Sequence, residues 1–565
     1  MWNPGEDGII RRSDRVPDVP VGLSRFQQIV LHQGRIERFF LDHIRKHSKD
    51  TLRVERGVLP ESLHIDEDTL EDHSPDNYPI TVQLQHLTEE EATPAQSNGS
   101  TVNDGLFRSN LAEDDTDDLI AKSRDKAGST ETVRAKYMVG CDGAHSWTRR
   151  QLGFQLEGEP TDFIWGVLDV IPITDFPDIR MRCAVHSSGN GSLMVIPREN
   201  KLVRLYIQLK EIKPDASGRA DRSKITPDTI ITAAQKIIAP YNLSYEYCDW
   251  WTAYQIGQRV GTNFDYKNRV FLAGDAFNLG WKLGLVVKGV AQPSILKTYQ
   301  AERRRIAQDL IDFDHKFSRL FSGRPAKDVM DEEGVNMEEF KQAFIKGNMF
   351  ASGLSVDYGT SMLVAKPGNA ADQGDGTDVS SSQPNKVIGQ QELASNTKLG
   401  MRFPNYKVLN QADARPWEFQ QRLRSDGRFR IIVFAGNIVN AQQSARLQNF
   451  CRRLASSSLL APHLYKDIDI LTLHSSKRTD VELLRDFPDV LHPFDAKTGW
   501  DYNSVYVDDV AYHEESGEAY SGYGVNRETG CVVVTRPDQY VGYIDACDEE
   551  GFAGVEAYFK GILAS

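Results

Sequence analysis

The sequence predicts an α/β fold, and three observations carry that prediction. Two short apolar runs, residues 136–141 and 270–273, each end in a turn bearing an aspartate: Asp142-Gly143 after the first, Gly274-Asp275 after the second. In open α/β sheets ligands sit beyond the carboxyl ends of strands, where an aspartate can reach a ribose or ribityl hydroxyl. Apolar residues spaced by three and four mark a helix opening at His32 and another over 298–321. Between them, residues 162–258 turn strand-rich, with Val203, Leu205, Ile207 and Leu209 alternating with Arg204, Tyr206 and Gln208.

A chain of 565 residues exceeds what one core serves, so two or three domains are expected. The net charge of -14 speaks against a nucleic-acid partner, which would need clustered Lys and Arg. No apolar run is long enough to span a bilayer, and Met1-Trp-Asn-Pro-Gly5 has neither the basic nor the apolar region of a signal peptide. Cys141, Cys183, Cys248, Cys451, Cys531 and Cys547 form no C-x-x-C pair, so neither a metal site nor a dithiol is indicated. Reduced thiols in a cytoplasmic protein are the expectation. Asn98-Gly-Ser100 is a chance match to a glycosylation acceptor.

In chain order, His32-Gln-Gly-Arg35 opens an amphipathic helix with Ile36, Phe39, Phe40 and Ile44 at helical spacing. Residues 88–132 are polar and acidic and read as a solvated surface insertion. Ser146 is placed to cap a helix over 147–152, and Gly153 to stop it. Residues 270–273 are wholly apolar, a strand buried on both faces, and Asn278 to Leu283 reads as helix packing with Trp281 in the core. The helix over 298–321 carries Ile306, Leu310, Phe313, Phe317 and Leu320 on one stripe. Residues 366–396, rich in Pro, Gly, Ser and Asp, form the linker that separates 1–365 from 397–565. Beyond it, strands at 429–434 and 468–473 flank a helix at 441–455, and 531–535 pairs with 540–544 around Arg536-Pro-Asp-Gln539.

The candidate site residues also have plainer readings. Asp142, Gly143 and Arg149 suit a ligand turn, but Asp and Gly are common in any strand-to-helix turn. The same holds for Gly274 and Asp275. Arg204 and Tyr206 share one strand face, as they would on an ordinary exposed sheet. Gln33 fits a ligand contact or a plain helix start.

Three stretches tip the balance: Tyr137-Met-Val-Gly-Cys-Asp-Gly-Ala-His-Ser-Trp-Thr-Arg-Arg150, the turn Pro197-Arg-Glu-Asn200 with its following strand, and Arg269-Val-Phe-Leu-Ala-Gly-Asp-Ala276 running into Asn278-Leu-Gly-Trp-Lys-Leu283. Together they resemble the FAD-dependent aromatic hydroxylases of the phenol 2-monooxygenase group. The resemblance implies a Rossmann-like flavin domain interleaved with a mixed substrate-binding sheet. It also implies a C-terminal thioredoxin-like domain without redox cysteines, matched at Val505-Tyr-Val-Asp-Asp509 and Arg536-Pro-Asp-Gln-Tyr-Val541. FAD, NADPH, a phenolic substrate and a homodimer follow. By the same resemblance Arg198 and Tyr206 are the catalytic pair, lying by the flavin and the phenol. Gln33, Asp142, Gly143, Arg149, Arg204, Gly274 and Asp275 are then cofactor contacts. Two family segments are missing from the sequence: the opening strand with its G-x-G-x-x-G turn, and the loop and Gly-Gln-Gly-x-Asn helix start after Asp275. The flavin domain is therefore expected to be incomplete and FAD binding weak. The alternative to a working monooxygenase is an impaired member, a splice variant or mis-assembled coding sequence, acting at most as a dimerising protein.

Overall fold

A computed structural model of the chain describes residues 1–16, 19–20, 23–92, 120–122, 126–209, 225–274, 278–322, 337–367, 387–514 and 516–564. The chain forms two compact units, each discontinuous in sequence: Met1–Pro17, Gln28–Thr262 and Gln308–Ile345 make the first, and Asp18–Gln27, Asn263–Ala307 and Lys346–Ser565 the second.

The first unit opens with strands β1 (Trp2–Pro4) and β2 (Ile10–Arg12), then helix α1 (Gln33–His47) and an antiparallel meander of β3 (Val58–Ile65), β4 (Ile80–His86) and β5 (Thr130–Ala135). Next come β6 (Met138–Gly140), the short helix α2 (Trp147–Gln151), and the strands β7 (Leu156–Thr174), β8 (Cys183–His186), β9 (Ser192–Pro197) and β10 (Val203–Leu209). Helix α3 (Pro227–Ile238) and strand β11 (Leu243–Gly261) follow. A mixed seven-stranded sheet runs β11-β7-β10-β9-β8-β1-β2.

The alternation in β10 sorts the two faces of that sheet. Val203, Leu205, Ile207 and Leu209 join Leu168, Val170, Val185, Leu193 and Val195 in a core closed by Ile230, Ile231, Ala234, Ile237 and Ile238 of α3. Thr226 caps α3 through the amide of Thr229, and Pro227 presets its first turn. The helix lies so close that a Cβ built on Gly166 would stand 2.8 Å from Ile230, so glycine is required there. The opposite face packs Trp165, Ala184, Met194 and Tyr206 against Phe317, Leu320, Phe340, Ala343 and Phe344.

Several expectations change. The strand-rich interval 162–258 contains α3, whose apolar spacing is helical. The strand expected at 136–141 is only β6, because the chain bends at Lys136 after β5. Helix α1 forms, capped by His32, yet Ile36, Phe39 and Phe40 remain 40%, 52% and 49% exposed. Leu41 is its buried residue. Most of the expected insertion at 88–132 and of the linker at 366–396 lies outside the described residues.

The second unit contains β12 (Val270–Leu272), α4 (Asn278–Val287), and the helices α5 (Thr298–Ser322) and α6 (Met337–Ala351), each shared in sequence with the first unit. Its sheet is built from β13 (Lys407–Asn410), β14 (Pro416–Glu418), β15 (Phe429–Gly436), β16 (Ile468–His474), β17 (Val505–Val507), β18 (Cys531–Thr535) and β19 (Val541–Asp545), in the order β14-β13-β17-β16-β15-β18-β19. With α7 (Ala441–Ser456) between the parallel pair β15 and β16, and α8 (Glu549–Lys560) after the hairpin β18–β19, this is a thioredoxin-like arrangement. Strand β15 is buried throughout, which is why it is apolar from Ile431 to Ala435, and its one charged residue, Arg430, is paired with Asp426.

Lys282, Glu302, Arg536 and Asp538 form a buried cluster in this unit. Lys282 Nζ donates to Glu302 Oε2 at 2.8 Å, and Arg536 Nη1 to Glu302 Oε1 at 2.6 Å. Arg536 Nη2 also donates to Asp538 Oδ2 at 2.6 Å. Burial opposes the charge on Lys282 and holds it at about 8. Burial also opposes ionisation of Glu302, but Arg536 and Lys282 outweigh it and hold that carboxyl at about 2. Trp281, expected in the core, is only partly buried against it, and Lys282 is the fully buried side chain of this turn.

Candidate active site

Asp169 lies in β7 directly opposite Arg204 of β10, so both side chains leave the sheet on the same face. Arg204 Nε and Nη2 donate to Asp169 Oδ1 and Oδ2 at 2.7 and 2.6 Å. Trp250, the partner of Asp169 on β11, places its ring 4.8 Å from the Arg204 guanidinium carbon. The remaining Nη1 of Arg204 donates to the Tyr206 hydroxyl at 3.4 Å.

Arg198 joins this group from the turn before β10. Its backbone amide donates to Leu202 O at 2.8 Å, and its carbonyl accepts from Arg180 Nη2 at 3.0 Å. Arg198 Nη1 stands 3.5 Å from Asp169 Oδ2, so two guanidiniums share one buried carboxylate. Burial opposes the charge of Arg204, but the two-pronged bond to Asp169 outweighs it and holds that guanidinium above its ordinary value. For Arg198, burial and then the neighbouring charge of Arg204 push the value down. The Nε of Arg198 is buried and, among the described residues, has no hydrogen-bond partner.

The start of α1 is tied to the same turn. His32 N donates to Glu199 Oε1 at 2.7 Å, and His32 Nδ1 accepts from Gly34 N at 3.0 Å. Gln33, between them, is exposed, and the cap is His32 rather than Gln33.

Asp142 and Arg149 make a self-contained turn. Ser146 Oγ donates to Asp142 Oδ1 at 2.5 Å, and Thr148 N and Oγ1 donate to Oδ2 at 2.8 and 3.0 Å. Partial burial works against the Asp142 charge, but these bonds outweigh it and hold the carboxyl below its ordinary value. Arg149 Nη1 donates back to Ala144 O at 2.8 Å. Gly143 has φ +71°, and a Cβ there would meet nothing within 4 Å. Three donors use three of the roughly four lone-pair sites of an exposed carboxylate, and glycine leaves the approach open. The turn thus fits a ribityl or ribose hydroxyl of FAD. Gly274 follows β12 in the second unit and is exposed; Asp275 lies outside the described residues.

The structure therefore brings Arg198, Arg204 and Tyr206 together, with Gln33 near their turn. Two residues of this group had no assigned role in the sequence: Asp169 and Trp250. A signal existed for the first, a lone acid inside the apolar stretch Trp165-Gly-Val-Leu-Asp-Val-Ile171. Among the described residues no His, Cys, Asp and Glu group is arranged to hold a metal ion, and no helix is long and apolar enough to cross a membrane.

The chain is similar to known proteins along most of its length. The family described as FAD binding domain matches residues 30–314, and the phenol hydroxylase C-terminal dimerisation domain matches residues 356–565. A phenol 2-monooxygenase of Aspergillus fumigatus is 35% identical over 97% of this chain and 82% of its own length. A 3-hydroxybenzoate 4-monooxygenase of Comamonas testosteroni is 31% identical over 99% of this chain and 83% of its own length. Among solved structures, the flavin-dependent monooxygenase PieE, in complex with FAD and substrate, aligns with a TM-score of 0.55 at 14% identity, covering 96% of this chain and 81% of that one. Aklavinone-11 hydroxylase with FAD and aklavinone gives 0.54 at 15% identity, over 95% and 79%. At such identities these two likenesses speak for the fold alone. The match of both domains and the identity along nearly the whole chain make this protein a member of the FAD-dependent aromatic hydroxylases of the phenol hydroxylase family.

Proposed function

We propose that the chain is an NADPH-dependent monooxygenase that hydroxylates a phenolic ring, with Tyr206 and Arg198 as its catalytic pair. The observation that carries this reading is the Tyr206 hydroxyl held by Arg204, beside a second buried arginine and next to an aromatic-lined sheet face. Gln33, Asp142, Gly143, Arg149 and Arg204 would hold FAD, and the family resemblance assigns Gly274 and Asp275 to the ribityl chain. The bound flavin supplies the oxygen chemistry: one atom of O2 goes to the ring and the other to water at the expense of NADPH.

The protein's own groups prepare the ring. Tyr206 Oη accepts from Arg204, which leaves its proton free to be donated to the substrate oxygen. Two guanidiniums against one carboxylate favour the phenolate form of that substrate, because an anion gains from the excess positive charge. A phenolate is the more electron-rich ring and the better acceptor of an electrophilic oxygen. The Phe317, Phe340 and Phe344 side excludes water from that face.

The match to a dimerisation domain supports a homodimer. Six free cysteines support a reducing, cytoplasmic setting. The test is to saturate the purified 565-residue chain with FAD and follow NADPH oxidation with and without a simple phenol. Phenol-stimulated oxidation with a hydroxylated product supports the reading. Absence of FAD binding would overturn it in favour of an impaired family member.

A further inference from the structure

Gln208 is the third polar residue on the face of β10 that carries Arg204 and Tyr206. Its side chain is 4% exposed, and among the described residues no hydrogen bond reaches its Oε1. A buried amide end left unbonded is costly, and native proteins rarely keep one without use. The position is also well defined. Gln208 pairs in register with Trp165, and Trp165 and Tyr206 belong to one cluster with Phe317, Phe340 and Phe344. Residues two apart on a strand are about 6.7 Å apart along it, which is comparable with the length of one substituted aromatic ring.

We infer that Gln208 is a specificity-determining residue that reads a second hydrogen-bonding substituent on the substrate, across the ring from the hydroxyl held at Tyr206. The substrate class is then a phenol bearing a further hydroxyl or carbonyl, and not a phenol with an apolar tail. This rests on the assignment of Tyr206 to the phenolic hydroxyl. A site built to bond a substrate hydroxyl rejects the analogue that lacks it, because its own buried polar group is then left unpaired.

The test is calorimetric binding of two probes to the full chain with saturating FAD: 1,4-dihydroxybenzene and 4-methylphenol, which differ by a hydroxyl against a methyl. The wild type should bind the diol at least about tenfold more tightly. Gln208→Leu should bring the two within about threefold while its thermal midpoint stays equal or rises, because an unbonded buried amide has been removed. Equal binding of both probes by the wild type would overturn the inference while leaving the phenol site intact. So would a preference that survives in Gln208→Leu. If neither probe binds, the assignment of Tyr206 fails and takes this inference with it. Equal binding by the wild type overturns the inference even if the variant does not fold.

Discussion

Asp169 grips Arg204 through both carboxylate oxygens, at 2.7 and 2.6 Å, and the same carboxylate stands 3.5 Å from Arg198. Among the described residues Asp169 is the carboxylate paired with both guanidiniums, and it offsets their mutual repulsion. Replacing Asp169 by Asn leaves two buried cations facing one neutral amide. The expected loss is about 3–5 kcal/mol in stability, read from urea unfolding. A change below about 1 kcal/mol would mean that the pair is solvated.

Tyr206→Phe keeps the ring in the aromatic cluster and removes only the hydroxyl that Arg204 holds. Turnover of a phenol should fall by about a hundredfold, with FAD affinity unchanged. Single-turnover absorbance of the flavin separates the two quantities. An unchanged rate would remove Tyr206 from the chemistry.

Acid should unfold the second unit through Glu302. Its carboxyl titrates near 4.5 when unfolded and at about 2 when folded, so the unfolded chain binds more protons between those values. The contribution is complete above pH 4.5 and is lost as pH falls through about 2. The thermal midpoint of the wild type should drop across that window, and Glu302→Gln, less stable at neutral pH, should show a shallower drop. Parallel profiles for the two proteins would count against the assignment.

Gly166→Ala places a methyl where Ile230 already stands, 2.8 Å from the ideal Cβ position. Overpacking of this kind should cost about 1–3 kcal/mol. Combining it with Ile230→Ala should recover part of that loss, so that the double variant is more stable than the sum of the single effects. Strict additivity would show that the helix shifts freely.

How much of this could be read from the sequence differs by residue. The two-residue alternation from Val203 to Leu209 announced both sheet faces, because strand geometry forces it. It did not reveal that the polar face is covered, since Phe317, Phe340 and Phe344 come from more than a hundred residues downstream. Asp169 and Trp250 became part of the site only through strand register, which no local pattern encodes. The turn between β6 and α2 was legible from Asp142, Gly143 and Ser146; that Asp142 spends its bonds on Ser146 and Thr148 was not. The sequence marked Trp281 for the core and gave no sign that Lys282 is the buried side chain of that turn, because its partner Glu302 and the Arg536 that completes the cluster come from elsewhere in the chain.

That last dependence governs the order in which the protein is made. Arg536 meets Glu302 across a separation of 234 residues. As the chain leaves the ribosome, at roughly 5–20 residues per second, α4 and α5 are present many seconds before their cationic partner exists. Until then Glu302 has Lys282 and the amide of Asn278 to answer it, and lacks its arginine. The buried cluster around Glu302 is thus completed only after Arg536 has been synthesised. A ribosome stalled before Arg536 would hold α4 and α5 with that cluster unfinished.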